Sequence, residues 1–220
     1  MGSSARLSDD DTARLLRKYG IPTVEGGVVG SEEEAVRAAE RLGYPVVLKI
    51  VSPAILHKTD AGGVLLGIED EEGVRRGYRE VMEKAREYKP EARIEGVLVQ
   101  KQAPRGREVI VGALRDPQFD GVVMFGLGGV FVEVLKDVSF RIAPIDEEEA
   151  LSMIKEIKGY PLLTGFRGEE KADLKAIAKV ISAVSEMIMR ERYIEEMDIN
   201  PLIVYPRGAI AVDARIIREG

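Results

Sequence analysis

The chain has 220 residues, 45% of them hydrophobic, a net charge of −6, one histidine and no cysteine. That length supports one compact domain or two modest lobes around a substantial core. The absence of cysteine excludes disulfides, thiolate metal sites and cysteine nucleophiles; a single histidine leaves zinc to rest almost wholly on carboxylates, and the acidic balance argues against a nucleic-acid partner.

Ser8 to Tyr19 reads as a helix, capped by Ser8 or Asp9 and stopped by Gly20 and Pro22. Ser31-Glu32-Glu33-Glu34 has the form of a capping box, with Ala35, Val36, Ala39 and Leu42 as the apolar stripe behind it and Gly43 as the end. Tyr44 to Val51 is β-branched and largely apolar, a strand, and Val64 to Glu69 is a second. Val74, Tyr78, Val81, Ala85 and Tyr88 recur at helical spacing before Pro90. Ile94 to Gln102 is a strand that runs into Ala103-Pro104-Arg105-Gly106, where βα alternation gives way to closely spaced strands. The lobe boundary is expected there, giving residues 1–104 as an N-terminal helix with a first lobe and 105–220 as a second. Arg107 to Leu114, Gly121 to Phe125, Val130 to Leu135 and Ser139 to Pro144 read as short strands, and Asp146 to Lys158 and Glu169 to Glu191 as helices. Glu196 to Tyr205, a turn at Pro206-Arg207-Gly208, and Ala209 to Ala214 form a closing hairpin. No apolar run approaches the roughly 20 residues of a membrane span, and no basic-then-apolar leader opens the chain. The expectation is an α+β (α/β) protein, cytoplasmic and without a membrane partner.

Several polar residues do not fit these patterns. A two- or four-residue loop centred on Pro206-Arg207 pairs residues whose numbers sum to 413, so Asn200 faces Asp213, and Asp198 projects from the same side as Asn200. Three oxygen-bearing side chains then converge, either as a site for Mg²⁺ or as a polar pair that pins the register. Lys49 interrupts VVLKIV, pointing either at solvent or, from an inward face, at a phosphate. Gly62-Gly63 lets backbone amides approach phosphate oxygens, or simply makes a turn. Glu133 shares a strand face with Phe131 and Leu135, whereas Glu108, near a strand start, reads as solvent-facing. The lone histidine, His57, is an ordinary loop residue or a group with chemistry near neutral pH.

The ordered segments VVLK, SPAILHKTDAGGV, VLVQKQAP with Arg107-Glu108, GLGGVFVEVLKD, LLTGFRG, MDINPLIV and AVDAR span nearly the whole chain. Together they resemble the β subunits of ADP-forming acetyl-CoA synthetases, among the NDP-forming acyl-CoA synthetases related to succinyl-CoA synthetase. The resemblance implies an ATP-grasp fold, two α+β lobes holding ATP or ADP between them. It implies that Lys49 meets the phosphates under the Gly62-Gly63 loop, that Val99 and Gln100 lie at the base, and that Glu108 is a further nucleotide contact. Asn200 and Asp213 match the Mg²⁺ ligands. His57 matches a histidine that relays a phosphoryl group to ADP, and Asp198 the acid that orients it; the role of Glu133 is not implied. Succinyl-CoA synthetases carry glutamate at that acid and lack the histidine. The CoA-binding domain and a second phosphorylated histidine belong to an α subunit in this family, so an αβ heteromer is expected. Rival readings are an ATP-grasp carboxylate–amine ligase working through acyl phosphate, and a non-catalytic nucleotide-binding module. His57 separates the first of these: that ligase would tolerate His57→Ala.

Overall fold

A computed structural model of the chain describes residues 5–55, 58–129, 136–165, 168 and 170–220. The chain folds as two compact units, Val24–Ala103 and residues 1–23 with 104–220.

The Val24–Ala103 unit is an antiparallel sheet with two helices on one face. Its elements are β2 (Gly26–Val29), α2 (Glu32–Leu42), β3 (Val46–Val51), β4 (Val64–Ile68), α3 (Glu71–Tyr88) and β5 (Gly96–Lys101), with strand order β2-β5-β3-β4. Alternation along β3 sends Val46, Leu48 and Ile50 into a core with Ala35, Val36 and Ala39 of α2 and Val74, Val81 and Ala85 of α3. Val47, Lys49 and Val51 therefore take the opposite face. Ser31 Oγ accepts from the Glu34 amide at 3.2 Å, while the Glu34 carboxylate reaches back to the Gly30 amide at 2.8 Å, a box displaced by one residue. The sequence reading missed β2, because a glycine-rich GGVV looks like a loop. Gly26 is there for close approach: a Cβ on it would stand 2.8 Å from the Val99 carbonyl oxygen.

The second unit is built on β1 (Ala5–Arg6), β6 (Arg107–Asp116), β7 (Asp120–Leu127), β8 (Val138–Ile142), β9 (Ile194–Val204), β10 (Ala209–Ala211) and β11 (Ala214–Arg218). These strands form a seven-stranded antiparallel sheet in the order β1-β11-β9-β6-β7-β8, with β10 paired to β9. Helices α1 (Asp9–Lys18), α4 (Glu147–Glu156), α5 (Tyr160–Leu163) and α6 (Leu174–Arg190) complete it. Val109, Val111, Ala113, Val123, Phe125 and Leu127 pack beneath Ile177, Ile181, Val184 and Ile188 of α6 in one core. The other face of β6, β7 and β8 carries Ile110, Gly112, Leu114, Met124, Phe140 and Ile142, the last two more than half exposed.

Residues 1–23 belong with this second unit, not with the first lobe as expected. Leu16 and Ile21 are buried in its core, β1 pairs with β11, and the Ala211 amide donates to the Pro22 carbonyl at 2.8 Å. A helix at the start of a chain packs where its apolar stripe finds a matching face, and sequence order does not reveal which face that is. The helix expected from Glu169 begins at Leu174, because Asp173 is its cap. The strand expected over Val130 to Leu135 lies outside the described residues. Among the described residues no helix is long and apolar enough to cross a membrane.

Candidate functional site

The β9 hairpin has the expected register. Val204 pairs with Ala209, and beyond a break at Val212-Asp213 the same sum of 413 continues through Ala214 with Ile199 and Arg215 with Asp198. At the break the Asn200 amide donates to the Asp213 carbonyl at 3.0 Å, so these two residues stand opposite each other. On its other side β9 bulges against β6 between Leu202 and Ile199, at Asn200-Pro201, where proline has no N–H to give the ladder. The result is an exposed Asn200 next to a half-buried Asp213. Both offer hard oxygen donors. Among the described residues no three histidine, cysteine or acidic side chains gather closely enough to hold a metal. Mg²⁺ typically takes one or two protein oxygens and completes its shell with phosphate and water.

Asp198 shares this face and is held by an arginine. Arg215, directly across the ladder, donates from Nε to Asp198 Oδ1 at 3.0 Å and from Nη2 to Glu196 Oε1 at 2.6 Å. Burial pushes the Asp198 carboxyl above the usual carboxylate range; Arg215 pulls against it, and the charges of Glu196 and Asp213 add to the rise. Of the three oxygen-bearing residues expected on this face, Asp198 is thus the one with an arginine partner directly across the ladder. The sequence reading overlooked Arg215, although the 413 register already set it opposite Asp198.

In the Val24–Ala103 unit Lys49 is 5% exposed and Gln100 8%, both on the sheet face away from the helices. Gln100 pairs with Val47 and Lys49 with Leu98, so the two are diagonal neighbours, about 7–8 Å apart in such a ladder. The solvent-facing alternative for Lys49 is therefore wrong: the side chain is buried. A lysine and an amide held inside a sheet face suit an anionic, hydrogen-bonding ligand.

Two other expected positions have their groups engaged within the fold. Val99 has its side chain in the helix-side core, and β5 is flanked by β2 and β3, so its side chain is withheld from a ligand. The amides of Gly62 and Gly63 are already used, donating to Thr59 O at 3.0 Å and Lys58 O at 2.8 Å. Their glycine identity follows from sterics: Gly62 has φ +63°, and a Cβ on Gly63 would stand 2.4 Å from Ile50 Cγ2. Lys58, which precedes this turn, is itself only 8% exposed. Glu108 is exposed, as read, at the start of β6; Gly128 lies against it, its amide donating to Glu108 O at 2.8 Å. His57 and Glu133 lie outside the described residues.

Comparison with known proteins follows the same lines. A family model of the ATP-grasp domain matches residues 2–217. The β subunit of acetate–CoA ligase (ADP-forming) I from Pyrococcus furiosus is 53% identical over 96% of this chain and 91% of that subunit. Acetate–CoA ligase (ADP-forming) I from Archaeoglobus fulgidus is 46% identical over 98% of this chain, which spans 31% of that longer protein. The acetyl-coenzyme A synthetase 1 of Ca. Korarchaeum cryptofilum, in complex with coenzyme A and Ca-AMPCP, superposes with a TM-score of 0.95 at 50% identity, covering 98% of this chain and 93% of that one. Another structure of that protein holds coenzyme A and Mg-AMPPCP with a phosphohistidine segment pointing towards the nucleotide binding site; its TM-score is 0.86 at 48% identity, over 97% and 93% of the two chains.

Proposed function

Because the chain belongs to the ATP-grasp domain family, and within it to the β subunits of ADP-forming acetate–CoA ligases, we propose that it is the nucleotide-binding subunit of such a ligase, moving a phosphoryl group between phosphohistidine and ADP. The overall reaction is acyl-CoA with ADP and phosphate giving carboxylate, CoA and ATP, reversibly. The observation that carries this reading is the β9 ladder, which puts Asn200 opposite Asp213 and Asp198 opposite Arg215 on one sheet face. Hard oxygen donors beside a held acid are what phosphoryl transfer through a histidine requires.

Lys49 serves the nucleotide phosphates and Gln100 the base, each supported by its burial on an inward sheet face. Glu108 is a further nucleotide contact. Asn200 and Asp213 are the protein ligands for Mg²⁺, which when bound neutralises phosphate charge and orients the phosphoryl acceptor. His57 carries the phosphoryl group. In the forward step its P–N bond breaks as a P–O bond forms to the β-phosphate of ADP, and the electron pair returns to the imidazole nitrogen. Asp198 is the acid that orients His57, the role a carboxylate has for histidine in hydrolase triads. The partner is an α subunit bearing the CoA-binding domain and its own phosphorylated histidine. It is a separate chain in the Pyrococcus protein, named as a β subunit, and the length of the Archaeoglobus protein fits a fusion of the two.

The test is reconstitution with the partner subunit and labelled phosphate in the presence of acetyl-CoA. Acid-labile label should appear on His57 and chase into ATP on addition of Mg-ADP, and His57→Ala should abolish both. Wild-type assemblies that make ATP without ever labelling this chain would remove the relay from the mechanism.

A further inference from the structure

We propose that the apolar half of the open sheet face in the second unit, built on Leu114, Met124, Phe140 and Ile142, is the surface on which the α subunit docks; this rests on the function proposed above. Strand pairing lays two rows of side chains across the sheet. In one row Phe140 pairs with Met124, Met124 with Gly112, Gly112 with Asp198, and Asp198 with Arg215. In the other Ile142 pairs with Val122, Val122 with Leu114, Leu114 with Glu196, and Glu196 with Ile217. The rows lie two residues apart on every strand and so share one face. A Cβ on Gly112 would meet both Met124 Cε, at 3.4 Å, and Asp198 Cβ, at 4.0 Å. Each row thus runs without a break from apolar positions on β8, β7 and β6 to an acid on β9.

The apolar half is open to water. Among the described residues seven large apolar side chains are exposed, and four of them, Leu114, Phe119, Phe140 and Ile142, lie on β6, on β8 or in the turn between β6 and β7. Scattered singly, such side chains need no explanation, whereas a contiguous group marks a contact surface. The group carries no charge, and the ions at its margin are satisfied within the chain. Asp120 is held by Arg115 and Arg192, and Arg141, on β8 but turned to α4, is held by Glu149 and Glu156. Such a face fits an apolar partner surface better than a polyanion or a basic segment. A second copy of this chain stacked on the sheet would stand about 10 Å above it. Because the rows are continuous, it would also cover Glu196 and Asp198. The α subunit is the partner that has to exchange a phosphoryl group with this chain, and a seat on the apolar end of the rows brings it beside Asp198 without closing that end.

The experiment titrates the full chain with the α subunit of the same organism, reads complex formation by analytical ultracentrifugation, and follows ATP formation from acetyl-CoA, ADP and phosphate in parallel. Phe140→Glu and Ile142→Glu should each weaken the complex about 30-fold or more, the loss expected for an unpaired charge at the buried centre of an interface. Excess α subunit should restore ATP formation. The Tm shift of each isolated variant with Mg-ADP should equal that of wild type, since neither residue is a nucleotide contact. Leu66→Glu, at an apolar side chain 69% exposed on β4, should leave the complex unchanged. Docking on this face is overturned if both glutamate variants bind the α subunit like wild type. It is overturned equally if the isolated wild-type chain is a dimer that Phe140→Glu converts to monomers while α-subunit affinity holds, which would seat a second copy there. Should the glutamate variants fail to fold, Phe140→Ser and Ile142→Ser decide: wild-type affinity in both refutes the surface. A wild-type complex that assembles but forms no ATP overturns the functional reading instead, and the docking surface is then decided by the binding measurement alone.

Discussion

At the scale of single residues, the Gly62-Gly63 turn separates two explanations that the amino-acid sequence leaves equal. If its amides cradled phosphate, they would point outward and unpaired; instead each donates to a carbonyl of its own loop. The two glycines are needed for different reasons. Gly62 has a left-handed backbone, but the atom nearest an added Cβ is Lys84 Cδ at 2.7 Å, part of a flexible side chain that can move. Gly63 faces Ile50, a fully buried core residue with nowhere to go. Gly63→Ala should therefore destabilise by about 1–3 kcal/mol, the usual cost of overpacking a filled core. Gly62→Ala should cost about 1–2 kcal/mol through its backbone alone. Urea midpoints for both variants measure these costs. Mg-ADP affinity, measured in parallel, should stay within about threefold of wild type, a shift worth only about 0.65 kcal/mol. A tenfold loss of affinity in a variant that folds normally would return the turn to the phosphate site.

At the scale of elements, the hairpin that carries Asn200 and Asp213 is tied to α6 by one carboxylate. Asp173 caps the helix by accepting from the Ala176 amide at 3.0 Å, and its other oxygen accepts from the Gly208 amide at 2.9 Å, in the turn between β9 and β10. These backbone bonds, Gly208 first, hold the Asp173 carboxyl below its ordinary range. Asp173→Ala should cost about 1–2 kcal/mol, the value of an N-cap together with a freed amide. The sign of the pH effect follows from the depressed pKa. The stabilisation is complete above the unfolded value of about 3.9 and is lost as pH falls through the lower folded value. The stability difference between wild type and Asp173→Ala should then be full at neutral pH and shrink below about pH 4. Chemical denaturation at neutral and acid pH measures it, and a difference that grows on acidification would rule out the charged cap.

At the scale of the whole chain, what was legible in the amino-acid sequence depended on whether the cause was local. The 413 register could be read because a short loop and strict two-residue alternation leave few choices, and it located the Asn200–Asp213 pair before any coordinate. The home of residues 1–23 could not be read, since Leu16 and Ile21 would fit either core equally well by composition. Burial of Lys49 was hidden for the same reason: VVLKIV alternates identically whether the face that carries Lys49 is covered or open to solvent. The candidate ligand residues are likewise divided, Lys49 and Gln100 in the Val24–Ala103 unit and Asn200 and Asp213 in the other. Nucleotide binding should stabilise the chain, and should do so through the metal. At a ligand concentration about a hundredfold above Kd, binding to the native state alone adds about 2.7 kcal/mol. For a domain of this size that corresponds to a rise in Tm of roughly 5–10 °C. Mg-ADP should produce that rise in the chain on its own, ADP with EDTA much less, and Asp213→Ala should reduce the Mg-ADP shift to the EDTA level without lowering the ligand-free Tm by more than a few degrees. An equal shift with and without Mg²⁺, or an undiminished one in Asp213→Ala, would remove the β9 ladder from the metal site.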